Sequence, residues 1–259
     1  MSTALADRIL ADLQTVFALR AARQADAVLG GQVRWLKDYQ ARRFEHSYAD
    51  LLATPRYRAA TRFFLEELYG PQEFAERDAQ FARVVPGMSR FFPHAVSETV
   101  AELGELHALS ETLDDAGARH LIRIGRVGAV DAEGYVQAWQ AAGQPEVRER
   151  QIALTLSIGR ALDGFTRSRL LRTSLRLMRG PAQAAGLAAL QRFLEAGFDA
   201  FGGMKGADEF LRWVGERERR LAAALFAPDA LMRVRGGRGD RGDVSAIVPP
   251  PAAPLDQLP

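Results

Sequence analysis

The sequence predicts an all-α protein: a single multi-helical domain, divided at most into two sub-bundles, with a disordered C-terminal tail. Three observations carry that prediction. Apolar residues recur at steps of three and four along nearly the whole chain. No strand-length alternation competes with that period. Glycine and proline fall between the periodic stretches, where they stop one helix and allow the next.

The first helix is expected over about Thr3 to Val28, where Leu5, Ile9, Leu13, Val16 and Phe17 share a face, and Gly30-Gly31 then breaks it. A second, near Gln32 to Leu52, carries Trp35, Tyr39, Phe44, Tyr48 and Leu51. Thr54-Pro55 is a start signal, since proline suits the first helical turn and threonine can cap it. The third helix, from Pro55, stops at Gly70-Pro71, and a fourth covers about Gln72 to Val85 before Pro86-Gly87. Ser97 opens a helix through Leu113. The pattern weakens over residues 115–130, which makes that stretch the one internal sub-boundary. Asp131 caps a short helix to Ala142, and Pro145 begins a long segment to Met178, bent at Gly164. Gly180-Pro181 precedes a helix to Phe201, and the last helix runs over about Ala207 to Phe226. The domain is therefore placed at 1–226. Residues 227–259 are Gly- and Pro-rich with little to bury, and read as the tail. Two Arg-Gly-Asp triplets within it read as accidents of composition.

The chain has 259 residues, 47% hydrophobic and 25% charged, and so can bury a substantial core. It has no cysteine, which excludes disulfides, thiolate-held zinc and cysteine nucleophiles. A net charge of +2 names no partner, and with no long apolar run the expectation is a cytoplasmic protein without a membrane span. No P-loop, dinucleotide fingerprint or nucleophile elbow is present, so no motif supports an enzyme and no catalytic residue is assigned.

The stretch "RYRAATRFFLEELYGPQEFAERD" at residues 56–78 is the most distinctive. Tyr57, Ala60, Thr61, Phe64, Leu65 and Leu68 form an apolar face, with Phe63 beside it. Glu67 sits at the edge of that face, where a carboxylate must reach water or find a cationic partner. Together with "HALSETLD" and "LQRFLEAGFDAFGGMKGADEFL", this stretch resembles an uncharacterised bacterial family of all-helical proteins, a domain of unknown function with an FFLEELYGP-type motif. The resemblance covers most of residues 35–226. It implies one compact unit and brings no activity, cofactor or site residue.

Of the four histidines, His107 lies mid-helix among polar groups, with Glu102 projecting into the apolar face of the same helix. A dimetal site would need two Glu-x-x-His motifs on facing helices, and neither exists, so no metal is expected. Haem needs less sequence; His107 or His94 could hold it, with Phe63, Phe64, Phe91 and Phe92 around it. Arg169, Arg172, Arg176 and Arg179 make a positive stripe that suits an anion or a partner surface, although no aromatic residues interleave to favour nucleic acid. The helix containing Phe193, Leu194, Phe198 and Phe201 reads first as core, and next as a homodimer face or an acyl-chain pocket.

Two functional readings follow. The first is a non-enzymatic protein acting through protein–protein interaction or self-association. The alternative is a small-molecule or cofactor binder, with Glu67, Glu102, His107, Phe63 and Phe64 around a pocket between the helices carrying Phe64 and His107. On that alternative Glu67, Glu102 and His107 face one cavity.

Overall fold

Local capping decides where the first two helices part. Asp26 accepts hydrogen bonds at Oδ1 from the N–H groups of Val28 and Leu29, each at 3.0 Å, so α1 (Thr3–Ala25) ends before it and α2 (Ala27–Ser47) begins after it. The expected break at Gly30-Gly31 is instead a contact: a Cβ at Gly30 would lie 2.8 Å from the Arg23 carbonyl oxygen. Glycine there lets α2 turn back closely on α1.

The computed structural model describes residues 3–68, 70, 74–87 and 93–236, and every regular element among them is helical. After α2 come α3 (Ala49–Ala53) and α4 (Pro55–Phe63), and the chain then widens into a π-helical turn over Phe64–Leu68. Next are α5 (Ala75–Val84) and a short 3₁₀ turn at Val85–Gly87. The longest element, α6, spans His94–Arg123. It is followed by α7 (Ala132–Ala142), α8 (Pro145–Thr166), α9 (Arg169–Leu177), α10 (Arg179–Ala184), α11 (Ala188–Met204), α12 (Asp208–Phe226) and α13 (Ala230–Gly236).

α6 is the axis of the molecule and packs against α1, α2, α7 and α8. It continues ten residues beyond the expected end at Leu113, into the supposed sub-boundary. The irregular connection begins only at Ile124, where Gly125 and Gly128 take φ of 76° and 106°. The apolar pattern fades at Asp114 and Asp115 because the buried face there carries carboxylates, with Asp115 only 4% exposed.

An aromatic core fills one side. Phe44, Tyr48, Tyr57, Phe63, Phe64, Phe201 and Phe210 pack together between α2, α4, α11 and α12. Phe63 lies on α11 because Gly197 leaves room: a Cβ there would stand 3.1 Å from the ring's Cζ. Tyr39, Tyr135, Trp139, Leu221 and Leu225 form a second cluster, which includes Ala230 of α13.

That last contact corrects the tail expected from residue 227. α13 is folded onto α7, with Ala230 fully buried and Arg235 paired to Glu133 at 2.6 Å. The Arg-Gly-Asp triplets lie outside the described residues, as do Pro71, Phe91 and Phe92. The long segment from Pro145 does not bend at Gly164 but ends at Thr166, and Ser168 caps α9 by accepting from the Leu171 N–H. Among the described residues, no helix is long and apolar enough to cross a membrane.

Candidate functional site

The inward face of α6 changes character along its length: Val96, Val100 and Leu103 come first, then His107, Ser110, Glu111 and Asp114. From 96 to 114 the helix rises roughly 27 Å. Each polar residue meets groups from other helices.

At His107, Asp78 of α5 arrives with its carboxylate Oδ2 3.0 Å from Nε2. Arg20 of α1 donates to the same oxygen at 2.8 Å, and Arg77 approaches Oδ1 at 3.5 Å. Burial opposes ionisation of Asp78, but His107, Arg20 and Arg77 outweigh it and hold the carboxyl at about 2. Arg77 also donates to the Glu67 backbone oxygen at 3.1 Å and lies 3.5 Å from its carboxylate. Glu67 thus finds the cation that its place at the helix edge requires.

One turn further, Glu111 takes Arg23 on one oxygen and Lys37 on the other. Burial raises its pKa, and the two cations more than reverse this, to about 2. Asp114 receives Gln40 Nε2 at 2.8 Å, yet burial dominates and pushes its carboxyl above the ordinary range. Nearby, Glu218 of α12 accepts from Arg43 at 3.0 Å and Tyr48 OH at 2.8 Å. The Arg148 guanidinium lies over the Trp139 ring at 3.7 Å, and the Tyr135 and Trp139 rings are 5.9 Å apart.

These groups surround a cavity of about 170 Å³, bounded by α6 and by residues from α1, α2, α5, α7, α8, α11 and α12. Glu67 and His107 line one end; Lys37, Arg43, Asp114, Tyr135, Trp139 and Glu218 line the other. Arg43, Tyr135 and Trp139, which line it, each carry a buried polar atom (Nε, OH and Nε1 in turn) with no hydrogen-bond partner among the described residues. A second cavity of about 100 Å³ is walled by Phe63, Phe64, Ile158, Phe165, Phe198 and Phe201 and is almost wholly apolar. The two abut: Val96, Val100, Leu103, Leu106, Phe193 and Leu194 line both.

The residues singled out from sequence therefore separate. Glu67 and His107 share the larger cavity, while Phe63 and Phe64 border the smaller. Glu102 lines neither and instead accepts from Ser157 Oγ of α8 at 3.0 Å. Thus Glu67, Glu102 and His107 do not face one cavity. His94 is on the surface, paired with Glu98 at 3.4 Å, and His107 Nε2 is occupied by Asp78, so nothing in the geometry favours haem. Among the described residues, no three His, Cys, Asp or Glu groups could hold a metal ion.

The arginine stripe is divided as well. Arg172 donates to the Thr166 carbonyl and Arg179 to Glu195, each at 2.6 Å. Arg169 and Arg176 remain exposed on α9 beside Leu170 and Leu177, which are 75% and 73% exposed.

Lys37, Arg43, Tyr135, Trp139 and Glu218 were missed in sequence because they reach the site from three helices, α2, α7 and α12, that lie far apart along the chain. The available signal was weak: polar or amphipathic residues on otherwise apolar faces, of which Lys37, one of two lysines, is the clearest.

A family model described as Domain of unknown function (DUF8198) matches residues 19–231. No curated protein and no solved structure matches the chain.

Proposed function

The chain belongs to this family of unknown function, and from that premise we propose that it is a small-molecule-binding protein, its ligand held inside between the helices carrying Phe64 and His107. The observation that carries this reading is the cavity of about 170 Å³ along α6, lined by charged side chains and by residues that carry buried polar atoms without partners among the described residues. As an unfilled packing fault, that volume would cost on the order of 4 kcal/mol, a large share of a domain's net stability. The unpaired polar atoms add to the cost. Occupancy by a ligand offsets both.

Native mass spectrometry of the purified full chain, against its denatured mass, tests the reading. Extra mass lost on denaturation supports it, as does saturable uptake of the neutral apolar dye Nile red that Leu103→Trp abolishes without lowering the melting temperature. A bare native mass together with no dye uptake by the folded protein would sink it.

A second reading, action through protein–protein interaction or self-association, is favoured by α9. Between Asp163 and Glu195 the chain carries six arginines and no acidic residue. On α9, exposed leucines stand beside Arg169 and Arg176, an amphipathic surface suited to an acidic partner. Sedimentation velocity across protein and salt concentration tests the self-associating form. A salt-sensitive oligomer lost in Leu177→Asp supports it, and a monomer throughout removes it.

A further inference from the structure

The two abutting cavities differ in chemistry. One end of the larger is polar; the smaller is apolar almost throughout. They meet along Val100, Leu103 and Leu194. A ligand occupying both would have a polar group at one end only and an extended apolar body.

The unpaired atoms indicate which polar group. Trp139 Nε1–H and Arg43 Nε–H can only donate, and Tyr135 OH can donate. Arg43 and Tyr135 are 3% and 1% exposed, so bulk solvent does not supply the missing partner. None of the nearby carboxylates reaches these three atoms: Glu218 Oε1 takes Arg43 Nη1 and Tyr48 OH, Glu111 takes Arg23 and Lys37, and Asp114 Oδ1 takes Gln40. What these three donors lack is an acceptor within reach, and an ionised carboxylate offers only acceptors.

Charge limits the choice further. Three cations line this end, Lys37, Arg43 and Arg148, against three carboxylates, Glu111, Asp114 and Glu218. Asp114 is the one among them that burial drives towards its neutral form. A bound monoanion adds one negative charge to these walls, and uptake of a proton by Asp114 on binding would offset it. A phosphate monoester, with close to two charges, would leave negative charge unbalanced in a buried site.

We propose that the cavity pair binds a long-chain monocarboxylic acid, with Arg43, Tyr135 and Trp139 donating to its carboxylate and its chain passing Leu103 into the apolar chamber beside Phe64 and Phe201. This deepens the small-molecule reading and rests on it.

The test is isothermal titration of the full chain with oleate and with methyl oleate, alongside Nile red uptake. Oleate is expected to bind, and methyl oleate at least roughly tenfold more weakly, since the ester loses the charge that strengthens each donor contact. Tyr135→Phe is expected to weaken oleate by roughly tenfold while leaving Nile red unchanged and the melting temperature equal or higher, because the free protein loses an unpaired buried hydroxyl. A purely structural tyrosine would move stability and binding down together. Asp114→Asn, which keeps an acceptor for Gln40 and fixes the neutral form, is expected to hold oleate at least as tightly as the native chain. Should Tyr135→Phe fail to fold, Trp139→Phe and the acid–ester comparison on the native chain answer the same question. Oleate and its ester bound equally, or Nile red taken up without oleate, would overturn the carboxylate assignment and leave the pocket standing. Uptake of neither would remove both.

Discussion

His107 Nε2 lies 3.0 Å from Asp78 Oδ2, joining two helices whose sequence positions differ by 29 residues, at the rim of the larger cavity. Asp78 is 3% exposed, and its hydrogen bonds to His107 and Arg20 are what allow a charge to sit there.

Acid should therefore unfold the protein in a defined window. Asp78 and Glu111 are both held at about 2, below ordinary values of 3.8 and 4.5. A depressed carboxyl contributes stability that is fully present above its unfolded pKa and is lost as pH falls through its folded value. Each contribution is on the order of 2 kcal/mol. Urea midpoints should be flat above about pH 5 and fall steeply towards pH 2. Asp78→Asn should shrink that fall, and a midpoint unchanged down to pH 2 would contradict the assignment.

Glu111→Gln should cost about 3–5 kcal/mol, because it leaves Arg23 and Lys37 buried without their shared counter-charge. Chemical denaturation measures this directly. A loss below about 1 kcal/mol would place the cluster in the range of solvated surface pairs.

Phe64→Ala should cost about 3–5 kcal/mol. The ring is 2% exposed and meets Phe210 edge-on at 5.5 Å between centroids, besides bordering the apolar cavity. If thermal and urea unfolding show a much smaller loss while Nile red uptake falls, Phe64 serves the ligand chamber more than the core.

Two glycines should respond with opposite sign. Gly30→Ala puts a Cβ 2.8 Å from a backbone oxygen that cannot move aside alone, and should destabilise by about 1–3 kcal/mol despite alanine's better helix propensity. Gly164→Ala meets nothing within 4 Å near the end of α8, and should stabilise by about 0.5–1 kcal/mol. Paired melting curves would show it, and the same sign in both would refute the close approach of α1 and α2.

The sequence by itself determined the helical class, the start at Pro55, the break at Pro86-Gly87 and the last long helix ending at Phe226, because caps, breakers and a 3.6-residue period are local properties of the chain. It also marked Glu67 as a carboxylate in need of a cation. It could not name Arg77 as that cation, since nothing local links the two. Tertiary structure alone decided that α6 runs on through Asp114 and Asp115, where buried carboxylates replace the apolar residues that signal a helix. It likewise decided that α13 folds back onto α7, and that Glu102 points to Ser157 rather than to a pocket. The site follows the same rule. Glu111, Lys37, Arg43, Tyr135 and Glu218 come together only when four helices are packed, and charge pairing and burial act through space, leaving no period in the sequence to read.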